Sequence, residues 1–319
     1  MVALLVGCAW ALLACGGGDD GQPQRADKVL HYRSGLHLKP KRTPRPNEGS
    51  LRIEKVTYSS VDGKRVPALF AIPTVSEPLA CLIYQGGFGA TKEALPELRR
   101  GLADARLATF TIDPRNVGDR GSAEEAASAI VTPEGLRAMI VDTVADLRVA
   151  LDYLGRRPEC KKNIGYLGSS FGAYVGVLLA AQDARIKGTV LAGMGATYEQ
   201  LLLVRPLAAK EIENLPDYVP QAASDPKVLR RSVRILSPYD PEKWISRISP
   251  RPVMLLNGRY DPVVLPGDAM QIAAAAETPR TISYYNGGHD PFARGPALTS
   301  NLIRIARFLV TTLNLPYPI

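Results

Sequence analysis

The sequence predicts an α/β fold built on a mostly parallel sheet with helices on both faces. Two observations carry this prediction. The short, continuously apolar run Leu79–Tyr84 reads as a strand buried on both faces, which is how parallel strands read, and Leu107–Ile112 looks like the next strand. Between such runs lie segments of helical periodicity, and alternation of β and α gives a parallel sheet with crossover helices. Composition agrees: of 319 residues, 46% are hydrophobic and 22% charged, so a disordered chain, a fibre and a coiled coil are excluded.

In chain order, Leu51–Ser59 and Arg65–Ile72 flank Asp62-Gly63, a hairpin signal. Leu79–Tyr84 runs into Gly86-Gly87, and Leu107–Ile112 gives the next strand. A helix is predicted over Pro133–Arg156, with Leu136, Met139, Ile140, Val144, Leu147, Leu151 and Leu154 at three- and four-residue spacing. Ile164–Gly168 is a short strand running straight into a helix that begins near Phe171. Gly188–Ala192, Pro252–Asn257 and Thr281–Tyr285 read as further strands, and a helix from about Ala297 to Leu313 closes the chain. Residues 197–248 hold no strand pattern. They are expected to form a small helical lid, because an insertion there sits beyond the carboxyl end of a strand, where open α/β sheets bind ligands.

Residues 1–14 (MVALLVGCAWALLA) are too short to span a bilayer but suit the apolar core of a secretory signal. They lead into Cys15 and a Gly-rich segment, a pattern that resembles the lipobox of bacterial lipoproteins. The resemblance implies lipidation at Cys15, a membrane anchor and export to the cell envelope; Leu5-Val6-Gly7-Cys8 fits the pattern too, with less apolar sequence before it. Residues 15–49 are rich in Gly, Pro and charge and are expected to be a flexible linker, leaving 50–319 as the domain. The net charge of +8 is scattered, the denser patch Lys39–Arg45 is interrupted by proline, and no nucleic-acid motif accompanies it. The four cysteines show no C-x-x-C spacing, so neither a metal site nor a redox pair is expected.

Gly168-Ser169-Ser170-Phe171-Gly172 is a G-x-S-x-G motif between a strand and a helix, the setting of a nucleophile elbow. The glycines allow the sharp turn that lifts Ser170 out of the backbone, and the following helix points its positive end at any oxyanion formed there. A serine needs a base. Only His31, His37 and His289 exist, and the first two precede the first strand read from the sequence, so His289, in Gly287-Gly288-His289-Asp290, is the candidate. Asp261, at the carboxyl end of the preceding strand, is the candidate acid that orients it. Asp240 and Asp268 are rivals, the first better suited to a helix cap and the second to a helix start. The oxyanion donors are expected at the Phe171 amide and at Gly87, in Tyr84-Gln85-Gly86-Gly87-Phe88-Gly89. No Gly-Lys-Ser/Thr follows that loop, so it is not read as a phosphate loop.

From about Glu54 to Leu313 the chain resembles the α/β-hydrolase superfamily. Within it, the likeness is to the branch shared by dienelactone-hydrolase-like and acetyl-xylan-esterase-like serine esterases. The resemblance rests on Asp142–Arg157 followed by Ile164–Ala173, on Pro250–Gly258 leading to Asp261, and on Gly287-Gly288-His289, in the order Ser, Asp, His. It implies a Ser170–Asp261–His289 triad and hydrolysis of small or medium carboxylic esters, with no metal or organic cofactor. Dienelactone hydrolases use cysteine as nucleophile, and Gln85 stands where many relatives have histidine. Asp113–Ser122 resembles a structural turn of the same superfamily, with Arg115 as a packing or ion-pair residue. In that strand order Cys81 and Cys160 lie near the same sheet end. Two free buried thiols are expected rather than a disulfide, because strand geometry often holds Cβ atoms too far apart. Two other readings stand beside the esterase. One is a serine peptidase of the prolyl-oligopeptidase type, weakened by the lack of room for an N-terminal propeller. The other is a non-catalytic envelope lipoprotein, which would have no need of three catalytic groups.

Overall fold

The computed structural model describes residues 26, 30, 32, 38–75, 79–160, 163–203, 218–293 and 295–316. The signal segment and both of its cysteines, Cys8 and Cys15, lie outside the described residues. Among the described residues the strands are β1 (Lys41–Glu48), β2 (Leu51–Ser59), β3 (Arg65–Pro73), β4 (Ala80–Gln85), β5 (Leu107–Ile112), β6 (Ile164–Ser169), β7 (Ile186–Ala192), β8 (Val253–Gly258) and β9 (Arg280–Tyr285). They form one sheet in the order β1-β2-β3-β5-β4-β6-β7-β8-β9. The first three are antiparallel to their neighbours, and β5 through β9 with β4 are parallel.

Every residue of β4, β5, β6 and β8 is buried, as continuous apolar runs require of central parallel strands. The β2–β3 hairpin turns at Gly63, whose φ of +79° glycine adopts without steric cost, and the Asp62 carboxylate accepts the Lys64 amide. The helices are α1 (Pro96–Asp104), α2 (Ala123–Ala129), α3 (Pro133–Leu154), α4 (Phe171–Gln182), α5 (Tyr198–Leu202), α6 (Tyr218–Ser224), α7 (Pro226–Leu236), α8 (Pro266–Ala275) and α9 (Pro296–Thr312). Helix α3 starts where Thr132 accepts the Gly135 amide with proline in the first turn, and it buries the periodic face read from the sequence. It packs with α4 and α8 in one apolar cluster, while α1 and α9 pack on the opposite face of the sheet around Leu98, Leu102, Ile305 and Leu309.

Two expectations are corrected. Residues 41–48, assigned to the linker, form an edge strand. Pro44 and Pro46 remove donors that an edge strand does not need, so pairing to β2 survives them. Cys81 and Cys160, expected to be free thiols, form a disulfide with Cα atoms 4.9 Å apart. Cys160 does not lie on a strand. The turn Pro158–Cys160 frees it from the strand-to-strand spacing and folds it over the start of β4, where the Cys81 amide donates to the Asn163 carbonyl at 3.0 Å.

Among its described residues, the insertion after β7 consists of short helical segments joined by turns. Helix α5 carries a Thr197–Gln200 capping box, and Leu236, Trp244, Ile245 and Ile248 join the α3–α4 cluster.

Candidate active site

Ser170 sits between β6 and α4 with φ 50° and ψ −119°, a strained backbone that an ordinary residue keeps only when its surroundings enforce it. The enforcement is visible. The Ser170 amide donates to the Ala192 carbonyl at 2.8 Å, and the Gly172 amide donates to the Gly86 carbonyl at 3.1 Å. The two motif glycines make the turn possible: a Cβ on Gly168 would stand 2.3 Å from the Gly172 oxygen, and one on Gly172 would stand 1.9 Å from the Gln85 oxygen. The motif therefore encodes a close crossing of β6, α4 and the end of β4, with the serine at its apex.

His289 follows β9. Its Nε2 lies 2.9 Å from Ser170 Oγ, and its Nδ1 lies 2.9 Å from Asp261 Oδ2. Asp261 is 2% exposed, and its other oxygen accepts the Val263 and Val264 amides at 2.8 and 2.9 Å. Those bonds offset the cost of a buried carboxylate and fix its rotamer. The histidine loop is held by Tyr285, whose hydroxyl donates to the Gly288 carbonyl at 2.7 Å. Of the rival acids, Asp240 accepts the Tyr198 amide at 2.8 Å, and Asp268 accepts the Leu265 amide at the start of α8. The three residues singled out from the sequence are thus hydrogen-bonded in one line, and each rival carboxylate has a backbone amide of its own.

Gly87 lies beside the serine: a Cβ built on it would stand 3.5 Å from that of Ser170. Phe171 opens α4, where backbone amides lack partners within the helix, and its ring meets the Phe88 ring edge-on at 6.3 Å. The contact couples the Gly-rich loop to the elbow. Gln85, noted for its position before the glycines, is fully buried, with neither amide atom of its side chain hydrogen-bonded.

Ser170, His289, Gly87 and Phe88 border a cleft of about 460 Å³. Its lining includes Tyr84, Phe88, Ala90, Leu95, Ser170 and His289, with Asp290 as the charged member. Tyr84 was not anticipated. Burial pushes its phenol well above the ordinary value, so it stays a neutral hydroxyl, and its ring packs edge-on against Phe292 at 6.0 Å. Its place at the end of an apolar strand makes it look like core, and only the cleft marks it out. Arg115 is structural, as its motif suggested: it bonds Asp62 at 2.7 Å and approaches Asp146 at 3.4 Å. Among the described residues no three His, Cys, Asp or Glu are gathered as a metal site would need, and no helix is long and apolar enough to cross a membrane.

Residues 147–290, which span Ser170, Asp261 and His289, match the family model described as BAAT / acyl-CoA thioester hydrolase C terminal. No match was found among curated proteins. Among solved structures, the chain is similar to acetyl xylan esterase 1 of Thermoanaerobacterium sp., with a TM-score of 0.70 and 16% identity over 92% of this chain and 94% of that one. It is similar also to the acetyl xylan esterase of Paenibacillus sp. R4, with a TM-score of 0.68 and 18% identity over 91% and 94%. An esterase of Pyrococcus furiosus gives 0.61 and 17% over 88% and 99%. Its sheet order, its strand-turn-helix elbow and these likenesses give the chain the α/β-hydrolase fold.

Proposed function

We propose that the chain is a serine esterase that hydrolyses carboxylic esters of small or medium acyl groups through Ser170, His289 and Asp261. The observation that carries the reading is the relay of two 2.9 Å hydrogen bonds from Ser170 Oγ through His289 to the buried Asp261. His289 Nε2 takes the serine proton as Oγ attacks the ester carbonyl. Asp261 keeps the imidazole in the tautomer with Nδ1 protonated and stabilises the imidazolium. The Gly87 and Phe171 amides hold the oxyanion. His289 then gives its proton to the leaving alcohol, and water attacks the acyl-enzyme by the same route in reverse roles.

The size of the cleft supports small or medium acyl groups, and its aromatic and aliphatic lining supports an apolar acyl chain. A thioester hydrolase is the second reading, favoured by the family model. The lining favours the ester over a coenzyme A thioester, since no lysine or arginine borders the cleft among the described residues while Asp290 does. Export fits the same picture. A disulfide persists in oxidising compartments, which supports a secreted protein and, with the leader, lipidation at Cys15.

The test is hydrolysis of p-nitrophenyl acetate, butyrate and octanoate beside acetyl-CoA, for the wild type and Ser170→Ala. Ester hydrolysis that vanishes in the variant is the expected result. Folded wild type without activity on any ester overturns the reading, and preference for acetyl-CoA installs the second.

A further inference from the structure

One wall of the cleft is the loop between β4 and α1, which supplies Gly87, Phe88, Ala90, Ala94 and Leu95. Within itself the loop is tied by two turn bonds, from the Ala90 amide to the Gly87 carbonyl and from the Ala94 amide to the Thr91 carbonyl. Arg45 and Arg99 hold it at Glu93 and Ala94, and a buried restraint comes from the end of the neighbouring strand β5. The Lys92 side chain is 4% exposed, and its Nζ donates to Asp113 Oδ2 at 2.7 Å. The Lys92 amide donates to the other oxygen of the same carboxylate, also at 2.7 Å. Asp113 follows β5 and has no exposed side-chain surface; it accepts the Asp119 amide at 2.9 Å as well, and the Asp119 carboxylate lies 3.0 Å from Lys92 Nζ.

The turn that closes on this carboxylate is shaped for it. Gly118 has φ +60°, and a Cβ there would stand 2.5 Å from Asp113 Cγ. Burial alone would lower the lysine pKa, but the hydrogen bonds it donates to Asp113 and Asp119, with their charges, outweigh burial and hold the ammonium protonated. A charge is kept out of water only where its bonds are complete. Here both the side chain and the backbone of one loop residue are bonded to one carboxylate, which fixes direction as well as distance in a way apolar packing does not.

We propose that Lys92 and Asp113 are positioning residues for the ester reaction: their ion pair clamps the loop that carries Gly87 and so sets the Gly87 amide against the carbonyl held over Ser170. Neither residue touches substrate. The inference rests on the serine-esterase reading.

The experiment compares wild type with Lys92→Met, Lys92→Arg and Asp113→Asn, measuring kcat and KM on p-nitrophenyl butyrate and amide hydrogen exchange across Gly87–Leu95. Misplacing an oxyanion donor costs on the order of 10- to 100-fold in kcat, and KM is expected to hold within about threefold. Lys92→Met and Asp113→Asn should show this split together with faster exchange in the loop. Lys92→Arg should recover part of kcat, because it returns a cation to Asp113. A Lys92→Met protein that melts earlier but keeps kcat within about threefold, with loop exchange unchanged, overturns the proposal and leaves a merely stabilising pair. If Lys92→Met does not fold, Asp113→Asn and Lys92→Arg decide by the same kcat and KM split. Wild type as inactive as Ser170→Ala refutes the esterase reading instead, and loop exchange then decides the clamp by itself.

Discussion

Breaking the Cys81–Cys160 disulfide releases a loop whose ends are 79 residues apart in sequence. In the chain-entropy account, closing a loop of that length removes about 15 cal/mol/K from the unfolded chain, or about 4.5 kcal/mol at 25 °C. Both cysteines are fully buried, so the perturbation is made cleanly by Cys81→Ala/Cys160→Ala, which leaves no buried thiol behind. At roughly 2–4 °C per kcal/mol for a domain of this size, the double variant should melt on the order of 10 °C below wild type. Circular dichroism melts, with and without reductant, read this directly, and mass spectrometry under non-reducing conditions verifies the bond. The kinetic expectation is opposite. The disulfide joins the amino-terminal ends of β4 and β6, whereas Ser170 stands past the carboxyl end of β6, about 15–20 Å along the strand. Folded double variant should therefore keep the kcat of wild type. A variant that melts within about 2 °C of a fully oxidised wild type refutes the loop-entropy reasoning. A variant that is stable but has lost kcat refutes the separation of the two ends of the sheet.

Asp261→Asn keeps the shape of the relay but favours the wrong histidine tautomer, so kcat on p-nitrophenyl butyrate should fall on the order of 10⁴-fold with the melting curve little changed. Asp240 is buried, and desolvation outweighs the Tyr198 amide and the Lys243 ammonium 3.5 Å away, raising its pKa from 3.8 to about 7. Its folded pKa is therefore above its unfolded one, the folded chain binds the extra proton between about pH 4 and 7, and its contribution to stability declines as pH rises through that window. Asp240→Asn should remove the decline, so melting temperatures at pH 5 and pH 8 should differ less in the variant than in wild type. A decline of equal size in both would reject the assignment.

What the sequence revealed and what it hid follow from the range of the interactions involved. The central strands β4 to β8 were legible because burial on both faces leaves a continuous apolar signature. The elbow was legible because its glycines are demanded by backbone contacts under 2.5 Å, which no other residue satisfies. His289 emerged by scarcity, with two of three histidines lying before the first strand read from the sequence. The hidden parts depend on partners distant in sequence. Strand β1 is polar and proline-bearing, and only pairing with β2 makes it a strand. The disulfide depends on a turn that lifts Cys160 off the strand. Lys92 reads as a solvated loop lysine until β5 brings Asp113 beneath it, 21 residues away. Tyr84 continues an apolar run, and its place in the cleft wall is set by the loops that follow.

The two edges of the sheet have a consequence for life at high concentration. An open sheet offers a row of backbone donors and acceptors on which another molecule can template a strand, and such recruitment seeds aggregation. At one edge β1 interrupts that row with Pro44 and Pro46, neither of which can donate, and surrounds them with Lys41, Arg42 and Arg45. At the other edge, Arg304 from α9 reaches over β9 and donates to the Tyr284 carbonyl at 2.8 Å, occupying an acceptor that a foreign strand would use. The same prolines that disguise β1 in the sequence thus keep copies of the protein from zipping together along their rims.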